Sequence, residues 1–233
     1  MIFVLVGGKN KDNKLNNIEK WVYNKTNKEK PRLLFIPLAS TNINKTINNF
    51  YKLVSDINFD VSIMDFNNLD KFEFLINDAD IIYVSGGISD NLIKVFEDNN
   101  LDKILYNHLD DDKIYVGVSA GAMLITKEAL GDKDMFYDNF HYYNYKMVKC
   151  LGFLNISICP HYQNEDLIIY NDIIKNLNII SFGIEEDSAL VIDKDKYYVI
   201  KDRLSSAIYC YDNNKFNNLV IGEVYEKSGG FRS

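Results

Sequence analysis

Ser119 stands in Gly117-Val118-Ser119-Ala120-Gly121, a G-x-S-x-G pattern. The apolar run 114–118 precedes it, and the helix-like run Ala122-Met123-Leu124-Ile125 follows. Strand, sharp turn and helix form the context that lifts a nucleophilic serine clear of a sheet. Small neighbours let the backbone pack closely around so strained a turn. The next amide, at Ala120, then points from a helix start to where an oxyanion would form. The same residues would also serve as a tight turn with a capping serine.

A serine nucleophile needs a base, normally histidine. The chain has three histidines. His108 closes a polar helical stretch, and His141 sits among aromatics in Phe140-His141-Tyr142-Tyr143. His161, in Cys159-Pro160-His161-Tyr162, directly follows an expected strand. A strand end on the same side of a sheet is where a partner for Ser119 belongs. A third group must orient the imidazole and stabilise imidazolium. Glu128, Asp132, Asp134 and Asp138 lie between the serine and the histidine, and Glu185 and Glu186 lie after it.

Elements must bring these residues together. Apolar runs at 2–6, 33–38, 61–66, 80–85 and 114–118 read as strands buried on both faces. Helical spacing marks 13–28, 44–56, 89–97 and 100–109 between them. Alternating strand and helix predicts a parallel sheet with right-handed crossovers. Strands at 155–159 and 179–184 flank a helix at 165–176. Runs at 188–193, 196–201 and 205–211, joined by short polar turns, read as an antiparallel end, with 219–225 as one more strand. One α/β domain over 1–226 is expected, with 227–233 as a flexible tail.

Composition narrows the classes. The net charge is −7 and lysine is scattered among Asp and Asn, so nucleic acid and anionic membranes are poor partners. Three cysteines without C-x-x-C spacing give neither a disulfide framework nor a zinc knuckle. No apolar run reaches the ~18 residues of a membrane span, and 2–6 is too short for a secretory h-region. The expected location is the cytoplasm.

Gly86-Gly87 after one strand, G-V-S-A-G-A after the next and C-P-H-Y after a later one together resemble the peptidase E family of aspartyl dipeptidases, with cyanophycinase as a distant relative. The likeness begins at V-G-G (6–8), passes I-P-L-A (36–39) and ends at G-I-E-E-D-S-A-L (183–190). It implies a three-layer, glutamine-amidotransferase-like α/β fold with a mainly parallel sheet and antiparallel C-terminal strands. It implies a serine peptidase for short peptides, including N-terminal Asp-X, working as a monomer or homodimer without metal or cofactor. By this likeness Ser119 is the nucleophile and His161 the base. Asp134, followed by Met135, stands where the family carries its acid, and Asp138 is the substitute. The amide of Gly87 joins that of Ala120 in the oxyanion hole.

The sequence also departs from the pattern. After the glycine pair it reads Ile88-Ser89-Asp90-Asn91, so the usual substrate-holding Asn is missing. Asp90 and Asn91 are left to take its place, with Glu186 as a further candidate substrate contact. A substrate carboxylate calls for a cation or several donors, yet Arg32, Arg203 and Arg232 all lie outside the matched motifs. Tyr142, Tyr143 and Tyr145 lie between Ser and His and are candidates either to cover the site or to pack. An α/β-hydrolase esterase would share the order Ser…Asp…His but normally carries an HGGG-type loop, which is absent. A ligand-binding relative that has lost turnover is the non-enzymatic alternative.

Overall fold

The computed structural model describes residues 1–10, 15–109, 112–132, 145–162, 168–227 and 230–232. Its first half alternates β1 (Ile2–Val6), α1 (Asn17–Lys25), β2 (Arg32–Ile36), α2 (Ile43–Leu53), β3 (Asp60–Ile63), α3 (Phe72–Asp78), β4 (Ile81–Val84), α4 (Ser89–Asp98), α5 (Leu101–Asn107), β5 (Ile114–Val118) and α6 (Ala120–Leu124). The second half is mostly strand: β6 (Thr126–Asp132), β7 (Tyr145–Lys149), β8 (Leu154–Pro160), α7 (Ile168–Ile174), β9 (Ile180–Ile184), β10 (Ser188–Asp193), β11 (Lys196–Lys201), β12 (Ile208–Asp212), β13 (Lys215–Asn218) and β14 (Val224–Glu226).

The apolar runs bury both faces, as their continuity predicts. Along β1, Phe3 and Leu5 enter one core, while Val4 and Val6 enter the other. Leu34 and Ile36 of β2 likewise oppose Leu33 and Phe35. Helices α1 and α2 cover one face with Ile18, Val22 and Phe50. Phe72, Ile76, Leu92, Phe96, Leu101 and Leu105 of α3, α4 and α5 cover the other.

Among the described residues the strands form two sheets, of eight and six strands, where one was expected. The eight-stranded sheet runs β14-β11-β10-β1-β5-β4-β2-β3, parallel from β1 to β3 and antiparallel from β1 through β10 and β11 to β14. The six-stranded sheet runs β13-β12-β9-β8-β6-β7, with β6, β8 and β9 parallel. Strand β6 is the element that creates this division. Its sequence, Thr126-Lys127-Glu128-Ala129-Leu130-Gly131-Asp132, has no clean alternation and reads as a continuing helix or loop. It is held instead by pairing with β7 and β8.

The expected flexible tail is corrected at residues 230–232. Phe231 is buried and packs edge-on against Tyr197. Its carbonyl accepts from the Asn155 amide at 2.7 Å, and Arg232 bridges Leu154. One large apolar side chain at the end of a polar segment suffices to anchor it.

Parallel register aligns the carboxyl ends of the central strands. Val6 lies opposite Val118, Val84 opposite Gly117, and Ile36 opposite Val84. The segments Gly7-Gly8, Ser119, Ser85-Gly86-Gly87 and Pro37-Leu38-Ala39 therefore emerge along one edge. In the second sheet Pro160 lies opposite Ile184. Residues 161 and 185–186 thus leave two neighbouring parallel strands side by side.

Candidate active site

Ser119 ends β5 with φ 51° and ψ −109°, a conformation rare outside glycine. It is held on both sides. Its amide donates to the Val6 carbonyl at 2.9 Å, and its carbonyl accepts from the Met123 amide at 3.0 Å. The two motif glycines have separate reasons. A Cβ at Gly117 would lie 2.3 Å from the Gly121 oxygen, and a Cβ at Gly121 would lie 2.3 Å from the Val84 oxygen. The buried Tyr115 hydroxyl donates to the Gly121 carbonyl at 2.7 Å and fixes that approach.

The Gly86-Gly87 segment presses on Ser119 from β4. A Cβ at Gly86 would lie 3.2 Å from the Ser119 Cβ. Gly87 has φ 150°, and a Cβ there would meet the Ala39 oxygen at 2.0 Å. That oxygen also accepts from the Ile88 amide at 2.8 Å.

His161 reaches Ser119 from the other side. Its Nε2 lies 2.8 Å from Ser119 Oγ, and its Nδ1 lies 3.0 Å from Glu186 Oε1. Its backbone is left-handed, φ 55°, and its amide donates to the Gly7 carbonyl at 2.9 Å. Gly8 is the seat of the ring, since a Cβ there would fall 2.4 Å from Cε1. The imidazole is 48% exposed, so the site is open to solvent.

Beneath this seat lies a buried ionic cluster. Lys9 Nζ lies 2.9 Å from Glu19 Oε2 and also bonds Asp202. Tyr83 Oη donates to Glu19 Oε1 at 2.9 Å, and the Ile18 amide donates to Asp202 Oδ1 at 3.0 Å. Burial opposes the Lys9 charge, but the two carboxylates outweigh it and raise the ammonium above its ordinary range. Burial, reinforced by Glu19, pushes the Tyr83 phenol well up. The adjoining Asp187 follows Glu186. Its amide donates to the Gly8 carbonyl at 2.9 Å, its Oδ1 accepts from the Asn10 amide at 3.0 Å, and its Oδ2 lies 3.4 Å from Arg203.

Of the residues singled out in the sequence, Ser119, His161 and Glu186 come together, and Gly87 and Ala120 flank Ser119. Glu186 contacts His161, the position open to an orienting carboxylate. Asp90 pairs with Lys146 at 3.2 Å. Asn91 is exposed on α4. Asp134 and Asp138 lie outside the described residues, as do His141, Tyr142 and Tyr143. His108 is the C-cap of α5. The sequence marks Gly8 only as part of the V-G-G likeness, with no role, and gives no sign of the Lys9 cluster. Gly7-Gly8 after a strand was the available signal for the first; the cluster joins residues 9, 19, 83 and 202, which no local pattern connects.

The three cysteines are buried thiols. Burial pushes Cys150 and Cys210 up to about 12 and Cys159 higher still. Thiolate nucleophiles are therefore suppressed at neutral pH.

The geometry agrees with what the chain is similar to. The family model Peptidase family S51 matches residues 2–200. YgaJ of Bacillus subtilis (strain 168), an uncharacterized peptidase, is 26% identical over 212 residues, covering 89% of this chain and 86% of that protein. The crystal structure of a peptidase from an acI-B1 Actinobacterium superposes with TM-score 0.74 at 22% identity, covering 97% of this chain and 96% of the other. A Listeria monocytogenes EGD-e structure assigned to peptidase E gives TM-score 0.64 at 19% identity, covering 86% and 98%. The mixed α/β fold is that of these peptidases, and no helix among the described residues is long and apolar enough to cross a membrane. The chain is a serine-type peptidase and belongs to peptidase family S51.

Proposed function

We propose that Ser119, His161 and Glu186 are the catalytic triad of a cytoplasmic peptidase that cleaves short peptides, and that Gly87 and Ala120 supply the oxyanion hole. The observation that carries this is the unbroken chain from Ser119 Oγ through both imidazole nitrogens to the Glu186 carboxylate, 2.8 Å and 3.0 Å long. Glu186 accepts a hydrogen bond from Nδ1–H, which leaves Nε2 unprotonated and free to accept from the Ser119 hydroxyl. Oγ attacks the scissile carbonyl as its proton moves to Nε2. The amides of Gly87, after β4, and of Ala120, the residue after the serine, receive the new oxyanion. His161 returns the proton to the leaving amine, and water then repeats the sequence on the acyl-enzyme. The reading gives the acid role to Glu186 ahead of Asp134, because Glu186 already occupies Nδ1. Aspartyl preference is not part of the proposal, since no arginine stands in a matched motif.

The test is labelling with a small fluorophosphonate, followed by intact mass. One adduct is expected on the wild type and none on Ser119→Ala. An adduct that persists in Ser119→Ala would overturn the nucleophile. Asp134→Asn provides the control for the acid: full loss of labelling there, with Glu186→Gln still reactive, would return that role to Asp134.

A further inference from the structure

Beyond the glycine pair, at the carboxyl ends of β2 and β3, lies a cavity of about 360 Å3. Ala39 and Ile88 form its near wall, and these are the residues that clasp Gly87. Phe66 and Val95 add apolar surface, and Lys94 and Asp98 stand one helical turn apart on α4. The sheet order fixes where this cavity lies relative to the chemistry. His161 and Gly8 approach Ser119 from the β1 side, whereas Gly86-Gly87 approach from the β4 side, with β2 and β3 beyond.

We infer that this cavity is the acyl-side specificity pocket, and that it takes a large apolar, preferably aromatic, side chain. The inference rests on the proposed triad. His161 must hand its proton to the leaving nitrogen, so the leaving half of a peptide points toward β1. The acyl half then points past Gly87 into the cavity. The walls select the side chain. Phe66 is 52% exposed and stacks on no other aromatic among the described residues, a ring face of the kind that pairs with another aromatic. The charges of Lys94 and Asp98 offset one another, so a substrate carboxylate finds no net positive field. Asn91, also on the wall, offers a polar edge without charge.

The experiment compares kcat/KM for Phe-Leu, Ala-Leu, Asp-Leu and Lys-Leu on the whole chain, alongside fluorophosphonate labelling. Phe-Leu should exceed Ala-Leu by about tenfold or more, a common margin for a filled apolar pocket. Phe66→Ala should bring that ratio close to one while the protein still melts cooperatively and still labels at Ser119. A preference for Asp-Leu, equal rates across the panel, or labelling without cleavage of Phe-Leu would each overturn the pocket. So would a Phe66→Ala variant that keeps the wild-type ratio. Failure of labelling itself would instead remove the triad reading, and the pocket with it.

Discussion

Ser119 and His161 touch, yet they are held by different means. Ser119 is fixed by close packing: Gly117, Gly121 and Gly86 allow close approach around it, and Tyr115 ties the turn from within. His161 is fixed by packing and polar contacts together: its ring sits on Gly8, its amide donates to the Gly7 carbonyl and its Nδ1 meets Glu186, and the buried cluster of Lys9, Glu19 and Asp202 begins one residue past Gly8. Packing constraints fail sterically and leave little room for compensation. Ionic constraints depend on every partner being present, because an abandoned buried charge costs more than a missing pair. The two halves of one site should therefore answer differently to mutation.

The largest expected effect is on the contact that joins the halves. Glu186→Gln keeps the shape but removes the carboxylate that orients His161, and kcat should fall by about 10²–10⁴ with little change in stability. Steady-state kinetics with a urea melt checks both; a loss below tenfold would remove Glu186 from the triad. On the ionic side, Lys9→Met leaves Glu19 and Asp202 buried without their cation. Stability should drop by about 3–5 kcal/mol, measured as the shift in urea midpoint. Neutralising the carboxylates as well, with Glu19→Gln and Asp202→Asn, should recover much of it. On the packing side, Gly121→Ala should gain up to ~1 kcal/mol from helix propensity, but its Cβ meets the Val84 carbonyl. Overpacking of about 1–3 kcal/mol should win, and no change of partner side chain can rescue it, since the partner is backbone. Equal rescue in both regions would dissolve the contrast.

The smallest effect is the pH response. Unfolded thiols ionise near pH 9, whereas Cys150 and Cys210 in the fold keep their protons to about 12. A raised folded pKa gives stability that is complete below the unfolded value and is lost above it. Urea midpoints should thus be level through pH 8 and fall beyond 9. Lys9 acts later, from about 10.5 upward, because its own value is raised from there. A Cys150→Ala, Cys210→Ala variant should show a shallower alkaline decline.

The division between packing and charge also explains what the sequence reveals. Val- and Ile-rich runs buried on both faces are local, so β1, β2, β4 and β5 are readable, and with them the turn at Ser119. His161 follows from its place after a strand. Strand β6 is not readable, because the pairing that stabilises it lies outside its own seven residues. Glu186 is visible only as one of several carboxylates; contact with Nδ1 depends on β8 and β9 being neighbours. The Lys9 cluster is the extreme case, since its members are up to 193 residues apart. The anchoring of Phe231 fails to show for a related reason: one aromatic in a polar stretch has no period.

The proposed catalytic chain also crosses between two sheets. Ser119 leaves the eight-stranded sheet, while His161 and Glu186 leave the six-stranded one, and the His161 amide bonds Gly7 across the join. Turnover is therefore a gauge of how the sheets are docked. A partly denatured ensemble that keeps its strands but loosens the join would retain its far-ultraviolet signal and lose its enzyme activity, so in a denaturant series activity would be the earlier signal to disappear.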